Sequence, residues 1–457
     1  MSAKRFLRSR RKYRDTLLIG CISCLLLIAC GGGSSGGGVG GDEDPPPTTE
    51  AQWYKSVIAT VASNSVSVHL VAQPEGDDTI HLAYYDNSGD ETYYGGIQYA
   101  KAQIRGNDVT VVDAFTNVNK VDNSATLDLA LDDQGQPVVV YRGGNILFCQ
   151  PEQADVIVSE PGSTAWDAYT AAIGYVQRNP AEQLQDGKSG TESAIAIDSS
   201  GNAHIVFTFR YEGCETVNHI YPDLRYVEVD SRNPVSERED EETVHGNIYP
   251  EFNVVEENNS VGFYCDLVLD AQDQPLAFYA ENKEVIGTSN GLHMAYKAGD
   301  PAEWIYEWVE ELDDDETVMA ISAAVSPIDG AIAVAYAVET EEDGHSYKML
   351  KYAYRDTDGN WHPVVVDESA SVGIYCSLAF SAEGEPLIAY HAIESHSGYD
   401  LGDLKLAWKT ASGWERETVA QAGIVGKYNT LWIDADDAPN IVTYNDTTNE
   451  ILYYVKR

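Results

Sequence analysis

Three stretches decide the fold: VGFYCDLVLDAQDQPLAFY (Val261 to Tyr279), VGIYCSLAFSAEGEPLIAY (Val372 to Tyr390) and VGKYNTLWIDADDAPNIVTY (Val425 to Tyr444). Each alternates apolar and polar residues, breaks at an Asp/Gly/Pro-type turn, and resumes as an apolar run that ends in tyrosine. This is the pattern of two antiparallel strands joined by a short turn. The same unit returns as ATLDLALDDQGQPVVVY from Ala125, ESAIAIDSSGNAHIVFTF from Glu192 and ISAAVSPIDGAIAVAY from Ile321, with a looser copy from Val66 to Tyr85. The turns exit at Thr79, Pro137, Ala203, Pro275, Ala331, Pro386 and Pro439. Such spacing predicts an array of equivalent units, seven in number.

A third strand and a fourth follow each pair. Trp304 to Val309, Trp361 to Val366 and Trp414 to Val419 share one spacing and mark the outer strand, and Trp53 to Ile58 repeats it. The last unit stops after its third strand, ILYYVKR, so the segment from Gln52 to Thr60 is expected to supply the missing strand and close a ring. The fold class expected is an all-β, seven-bladed β-propeller with four-stranded antiparallel blades, the last closed by an N-terminal strand. The chain resembles bacterial propellers whose repeats read approximately VGxYxSLAxDxxGxPxIxYYD, then LxYA, then W. The resemblance covers residues 51 to 457 and includes Leu292 to Tyr296, Leu350 to Ala353, Leu404 to Trp408 and Ile97 to Ala100. It implies a scaffold and no particular chemistry.

The N-terminal segment gives an address. Lys4, Arg5, Arg8, Arg10, Arg11, Lys12 and Arg14 precede the apolar run TLLIGCISCLLLIA, which is too short to span a membrane. Leu27-Ile28-Ala29-Cys30 resembles the bacterial lipoprotein signal. That resemblance implies a signal peptide over 1–29, cleavage before Cys30, lipidation of the Cys30 thiol and, because Gly31 rather than aspartate follows, an outer-membrane location facing the periplasm or the surface. Arg14 and Asp15 interrupt what would otherwise resemble a twin-arginine signal, so the segment reads as an ordinary basic leader. Residues 30–50 read as a Gly/Ser/Pro-rich tether with a mean reach of about 25 Å.

Composition removes some partners. The 457 residues hold 73 acids against 29 lysines and arginines, a formal charge of −44 that becomes −50 without the basic leader. Nucleic acid and anionic lipid surfaces are excluded as electrostatic partners, leaving membrane attachment through lipid alone. No HExxH, GxSxG, CxxC pair or phosphate loop occurs in the body, and the turns lack the tryptophan of a sialidase Asp-box. A catalytic residue is therefore not assigned.

Strand order places the first-to-second-strand turns on one face and the longer loops on the other. The long-loop face is expected to hold any localised site, in the segments 85–96, 210–223, 280–291, 339–348 and 391–403 and the connections 160–190 and 245–260. Tyr264, Tyr375 and Tyr428 recur at the entry to inner strands, where they would either pack between blades or rim the channel and stack on a ligand. Asp86, His391, His396, Asp400 and Asp403 are less repetitive polar candidates. Asp132, Asp133, Asp198, Asp270, Asp434 and Asp436 in the turns, and Asp313 to Asp315, admit calcium, but they lack a complete ligand series; aspartates at turns ordinarily bond their own backbone. No other cofactor is expected. Cys265 and Cys376 lie two units apart, too far to bridge, and are expected as buried thiols; Cys149 with Cys214 is the conceivable pair. The function expected is a binding or interaction module for a glycan, peptide or envelope protein, with a glycan-acting hydrolase or lyase, or a structural scaffold, as alternatives.

Overall fold

The computed structural model describes residues 51–61, 70–86, 96–120, 127–143, 155–161, 166–172, 175–176, 185–212, 223–230, 242–245, 260–282, 290–299, 301–342, 345–369, 371–396 and 399–457. The leader, Cys30, the tether, Cys149 and Cys214 lie outside them. Ala51–Arg457 is one compact unit built of antiparallel sheets. The innermost strands, in chain order, are Leu70–Glu75, Leu127–Leu131, Gln185–Ile197, Ser260–Leu269, Glu316–Val325, Ser371–Phe380 and Val425–Ile433. Each lies beside the next, and the last lies beside the first, so they surround a central axis.

Six of the sheets are four-stranded blades. The expectation of seven uniform four-stranded blades is corrected here, because the third sheet has five strands: the short strand Tyr175–Val176 pairs with Gln185 and Asp186 at the N-terminal end of Gln185–Ile197, beyond the length of the other inner strands. The connection 160–190 is thus not simply a loop. It contains the outer strand Trp166–Ala172, headed by a tryptophan as in the fourth to last blades, and this added hairpin. Two further expected loops are also strands. Ile332–Glu342 and His345–Arg355 remain paired out to Glu342 with His345, and Pro386–His396 pairs with Tyr399–Thr410 out to His396 with Tyr399. Opposed charges assist the first extension, where Lys348 Nζ donates to Glu339 Oε1 at 2.8 Å.

The ring closes as expected. Trp53–Thr60 pairs antiparallel with Glu450–Lys456, from Trp53 opposite Lys456 to Thr60 opposite Glu450. Trp53 Nε1 donates to Glu417 Oε1 of the preceding blade at 3.0 Å, and Lys456 Nζ donates to the same oxygen at 2.7 Å. The same staple joins uninterrupted blades: Trp361 Nε1 donates to Glu307 Oε1 at 2.8 Å, and Arg355 holds both oxygens of Glu307. The two chain ends therefore meet through bonds that the repeat uses within a continuous chain.

Around the channel, inner strands are latched by one repeated position. Ser322 Oγ accepts from Leu378 N at 3.0 Å, Ser377 Oγ from Leu431 N at 2.9 Å, and Thr430 Oγ1 from Ala72 N at 3.3 Å, each bond crossing to the next blade. At the equivalent position the first and third sheets carry Val71 and Ala194, which cannot accept. In both cases the following blade has an aspartate there. Asp128 Oδ1 accepts from its own neighbour Leu129 N at 2.8 Å while Oδ2 reaches Ile195 N at 2.9 Å. Asp266 does the same for Leu267 N at 2.8 Å and Ala323 N at 2.7 Å.

Both aspartates are largely enclosed by protein, so desolvation raises the pKa of each carboxyl above the ordinary aspartate value. Asp128 is pushed up to about 7, with the charge of Asp266 adding to the effect and the backbone donors opposing it. Between about pH 4 and 7 the unfolded chain loses this proton while the native chain keeps it, so stability falls as pH rises through that window. Denaturant unfolding of Asp128→Asn, compared with the parent between pH 4 and 8, is expected to show a shallower fall with pH. An unchanged slope would place the proton elsewhere. Asp266→Ala, which strands two N–H groups, is expected to cost about 2–4 kcal/mol in the same measurement, against about 1 kcal/mol for Ser322→Ala.

Candidate functional site

The Val-Gly-x-Tyr entries are local interruptions of the inner strands. In all three, the pairing with the second strand slips twice, around Phe263, Ile374 and Lys427. Gly262, Gly373 and Gly426 have φ near 95–99°, and a Cβ on them would come within 3.0–3.3 Å of the Cα of Leu224, Leu350 and Leu404 on the preceding blade. Glycine is thus required by backbone approach as well as by conformation. The tyrosines two residues later are also left-handed, with φ of 50° for Tyr264, 56° for Tyr375 and 54° for Tyr428. A bulky residue held there costs about 1–2 kcal/mol. The surrounding contacts must offset that cost, and the bulge re-aims the ring.

The three rings have different surroundings. Tyr264 packs on the core between the fourth and fifth sheets, and its hydroxyl approaches Met319 Sδ at 3.8 Å. Tyr428 packs on the core between the last blade and the first sheet. Its ring centroid is 4.6 Å from that of Tyr375, and burial, reinforced by Tyr375, drives its hydroxyl pKa far above the ordinary tyrosine value. Tyr375 is half-buried and lies between Tyr428 and His391, the latter 6.1 Å away edge-on. Asn429 fixes this pair: its Nδ2 donates to Tyr375 O at 2.9 Å and Gly426 O at 2.8 Å. Lys427, ion-paired with Asp446 at 2.8 Å, adds a cation beside the rings. Sequence reading passed over Asn429 and Lys427, although Lys427 stands where the other entries have Phe263 and Ile374.

His391 is only 3% exposed. Its Nδ1 lies 2.8 Å from Val425 O, which can only accept, so the proton resides on Nδ1. The other edge of the ring covers Gly402, where a Cβ would fall within 2.6 Å of Nε2. Ala280 and Ala337 occupy the equivalent place in the fourth and fifth sheets, so His391 is a filled cavity of the repeat. Asp403 is buried nearby and accepts from Gln421 Nε2 at 3.3 Å. The backbone of Asp86, His396 and Asp400 belongs to strands Thr79–Asp86, Pro386–His396 and Tyr399–Thr410; their side chains lie outside the described residues. The structure thus brings together Tyr375, Tyr428, His391 and Asp403, with Tyr264 two blades away.

The turn aspartates are architectural. One oxygen each of Asp132, Asp198, Asp270 and Asp434 accepts from the backbone N–H groups two and four residues on. Asp133, Asp436 and Asp313 to Asp315 are exposed. Among the described residues no three His, Cys, Asp or Glu side chains converge as a metal would require. Cys376 is a buried thiol, raised to about 12 by desolvation, whereas Cys265, likewise in no disulfide, is only half-buried.

No protein-family model matches the chain, and no curated protein matches it. Solved structures similar to it include a protein of unknown function from Dyadobacter fermentans, with 10% identity over 88% of this chain and 98% of that one and a TM-score of 0.48. An α-L-arabinofuranosidase from Fusarium graminearum has 9% identity over 88% and 97%, with a TM-score of 0.48. A polysaccharide lyase acting on ulvan has 12% identity over 77% and 78%, with a TM-score of 0.44.

Burial depresses His391 to about 4, with the Val425 carbonyl opposing. Below about pH 6.5 the unfolded chain takes up a proton that the native chain refuses, so this residue lowers stability as pH falls toward 4. In NMR titration the His391 ring resonances are expected to stay constant from pH 8 to 5, and a midpoint near 6.5 would contradict the packing described. Gly402→Ala should destabilise the protein by about 1–3 kcal/mol in thermal unfolding, through overpacking against the same ring.

Proposed function

We propose that this chain is a membrane-tethered, extracytoplasmic binding propeller, recognising a glycan, peptide or protein on the face where the Val-Gly-x-Tyr entries open. In this reading Cys30 carries the lipid in the outer membrane, residues 30–50 are the tether, and the five-stranded sheet is the ring's third blade, giving seven in all. One observation carries it: Tyr375 and Tyr428 are held in left-handed backbone beside one another at the entrance of adjacent inner strands. Packing alone does not require two such rings in contact, because the fifth sheet does without one and has Ala320 at that place. Outliers of this kind concentrate where a ring must be presented.

Chain direction supports the placement. Trp53 lies opposite Lys456, the end of a third strand, so the body begins at the opposite face, the one with the aspartate turns. Buried His391, with its proton committed to Val425 O, supports a positioning role for the imidazole beneath Tyr375.

Arrays of oligosaccharides and peptides probed with the mature chain provide the test. Tyr375→Asn, which retains a residue tolerant of the left-handed backbone, is expected to weaken the bound class about tenfold or more without lowering the melting temperature. Retained binding would remove the ring from the site. Release of reducing ends or unsaturated sugars from a bound glycan would replace the binding reading with the hydrolase or lyase.

A further inference from the structure

The outer strand of the fourth blade, Glu303–Glu311, departs from its counterparts on one side only. Trp304, Tyr306 and Trp308 alternate along it and so share a face, about 7 Å apart per pair. Trp304 belongs to the repeat. Tyr306 and Trp308 do not: where the fourth blade pairs Ala295 with Tyr306 and His293 with Trp308, the fifth pairs Ala353 with Pro363 and Lys351 with Val365, and the sixth pairs Ala407 with Arg416 and Lys405 with Thr418. The opposite side keeps its scaffold duty, with Glu307 bound by Arg355 and Trp361 and Val309 buried.

The added rings are braced from behind. His293 lies 3.7 Å from the Trp308 ring centroid and 5.9 Å edge-on to Tyr306, stacks on Tyr279, and is held by Glu281 at 2.5 Å. In the equivalent places the fifth and sixth blades have Lys351 and Lys405 for the histidine, and Val338 and Ala392 for the glutamate. Four substitutions against the repeat, at Glu281, His293, Tyr306 and Trp308, are therefore adjacent in space. At the other end Tyr226 meets Trp304 edge-on at 5.1 Å, and Lys297 Nζ lies over both rings at 4.5 and 5.4 Å. Tyr306 nevertheless remains 50% exposed. The outer strand of the preceding sheet, Glu242–His245, pairs with Leu224 to Tyr226 and runs beside Glu303–Glu311, so the exposed Tyr306 ring lies at the seam between the two outer strands.

We infer that Trp304, Tyr306 and Trp308 form a second binding strip on the outer rim, for an uncharged polysaccharide chain. Rigid aromatic faces in a row match the C–H faces of successive sugar rings, with Lys297 as a donor to hydroxyls. Exposed Glu303 and Glu311 on the same strand, in a chain of formal charge −44, disfavour an anionic glycan. The strip does not depend on the tyrosine face, since it lies on the outermost strand of a different blade.

Calorimetric titration of the mature chain with cellohexaose, xylohexaose, mannohexaose and hexagalacturonate tests this. At least one uncharged hexasaccharide should bind, Tyr306→Ala should weaken it about tenfold, and Tyr306→Phe and Tyr375→Asn should leave it within about twofold, all with unchanged melting temperature. The inference is overturned if none of the uncharged sugars binds, if hexagalacturonate binds best, or if Tyr306→Ala has no effect. Loss with Tyr375→Asn but not with Tyr306→Ala would likewise overturn it, while supporting the tyrosine face. Binding that needs Tyr306 and ignores Tyr375 would establish the strip and leave the other site to its own test.

Discussion

An inner strand of a propeller is paired on one side only, and the N–H groups on its free edge must find acceptors without a neighbouring strand. In this chain a hydroxyl or carboxylate from the adjacent blade meets that need at one repeated position. The constraint explains an otherwise odd pair of residues. A carboxylate has two oxygens, so Asp128 and Asp266 each satisfy their own blade's N–H and the next one's, and they occur immediately after Val71 and Ala194, the two positions that offer nothing. Their burial in mutual view is electrostatically unfavourable, yet replacing either by an apolar residue would leave two buried donors unpaired.

Farther out, adjacent blades share a second set of polar joints. Tyr336 Oη donates to Glu310 Oε2 of the previous blade at 2.6 Å, and Lys351 binds the other oxygen. One blade on, Tyr390 donates to Asp367 at 2.7 Å and Arg416 binds that carboxylate from the far side. Within blades, His81 and His204 bridge a turn carboxylate to Tyr99 and Tyr226, and Asn440 does the same between Asp434 and Tyr453. Because an amide can take the histidine's place, these carboxylate–imidazole–tyrosine chains are read as joints, despite their likeness to proton relays. A buried polar chain fixes register and orientation more than it adds net stability.

The repeat was legible because its turns must contain residues that accept N–H groups or adopt unusual backbone, and such residues are conspicuous between apolar runs. Ring closure was legible because the Trp53 spacing matched that of Trp304, Trp361 and Trp414. The fifth strand of the third sheet was not, since Tyr175–Val176 is too short to form a pattern, and Trp166 was overlooked as the mark of an outer strand. The extended hairpins after Tyr336 and Tyr390 read as loops because their alternation is of polar residues, which are compatible with either state until a partner strand is known. Of the candidate site, the tyrosines were visible as a motif, but their left-handed backbone goes with the double slip in pairing at each entry, and the contact of Tyr375 with Tyr428 arises only once their two inner strands lie side by side. His391 looked idiosyncratic for a reason of packing: it fills the space over Gly402.

A repeat protein supplies its own comparison, and that comparison sorts its unusual residues. Where a departure restores what the repeat elsewhere provides, as the paired aspartates do after Val71 and Ala194, or His391 over Gly402, the scaffold is a sufficient explanation. Where several departures are adjacent, brace one another and leave an aromatic ring half in water, the scaffold is not sufficient, because burying Tyr306 or replacing it by a charged residue would serve the fold better. The Trp304–Tyr306–Trp308 strip is of the second kind. The Tyr375–Tyr428 pair lies between the two, anchored by a repeated glycine yet doubled at a single place on the ring. Strain, exposure and departure from the repeat are independent criteria; Tyr306 of the rim strip meets the last two and the tyrosine pair the first, which orders the two surfaces by how little of each the fold itself requires.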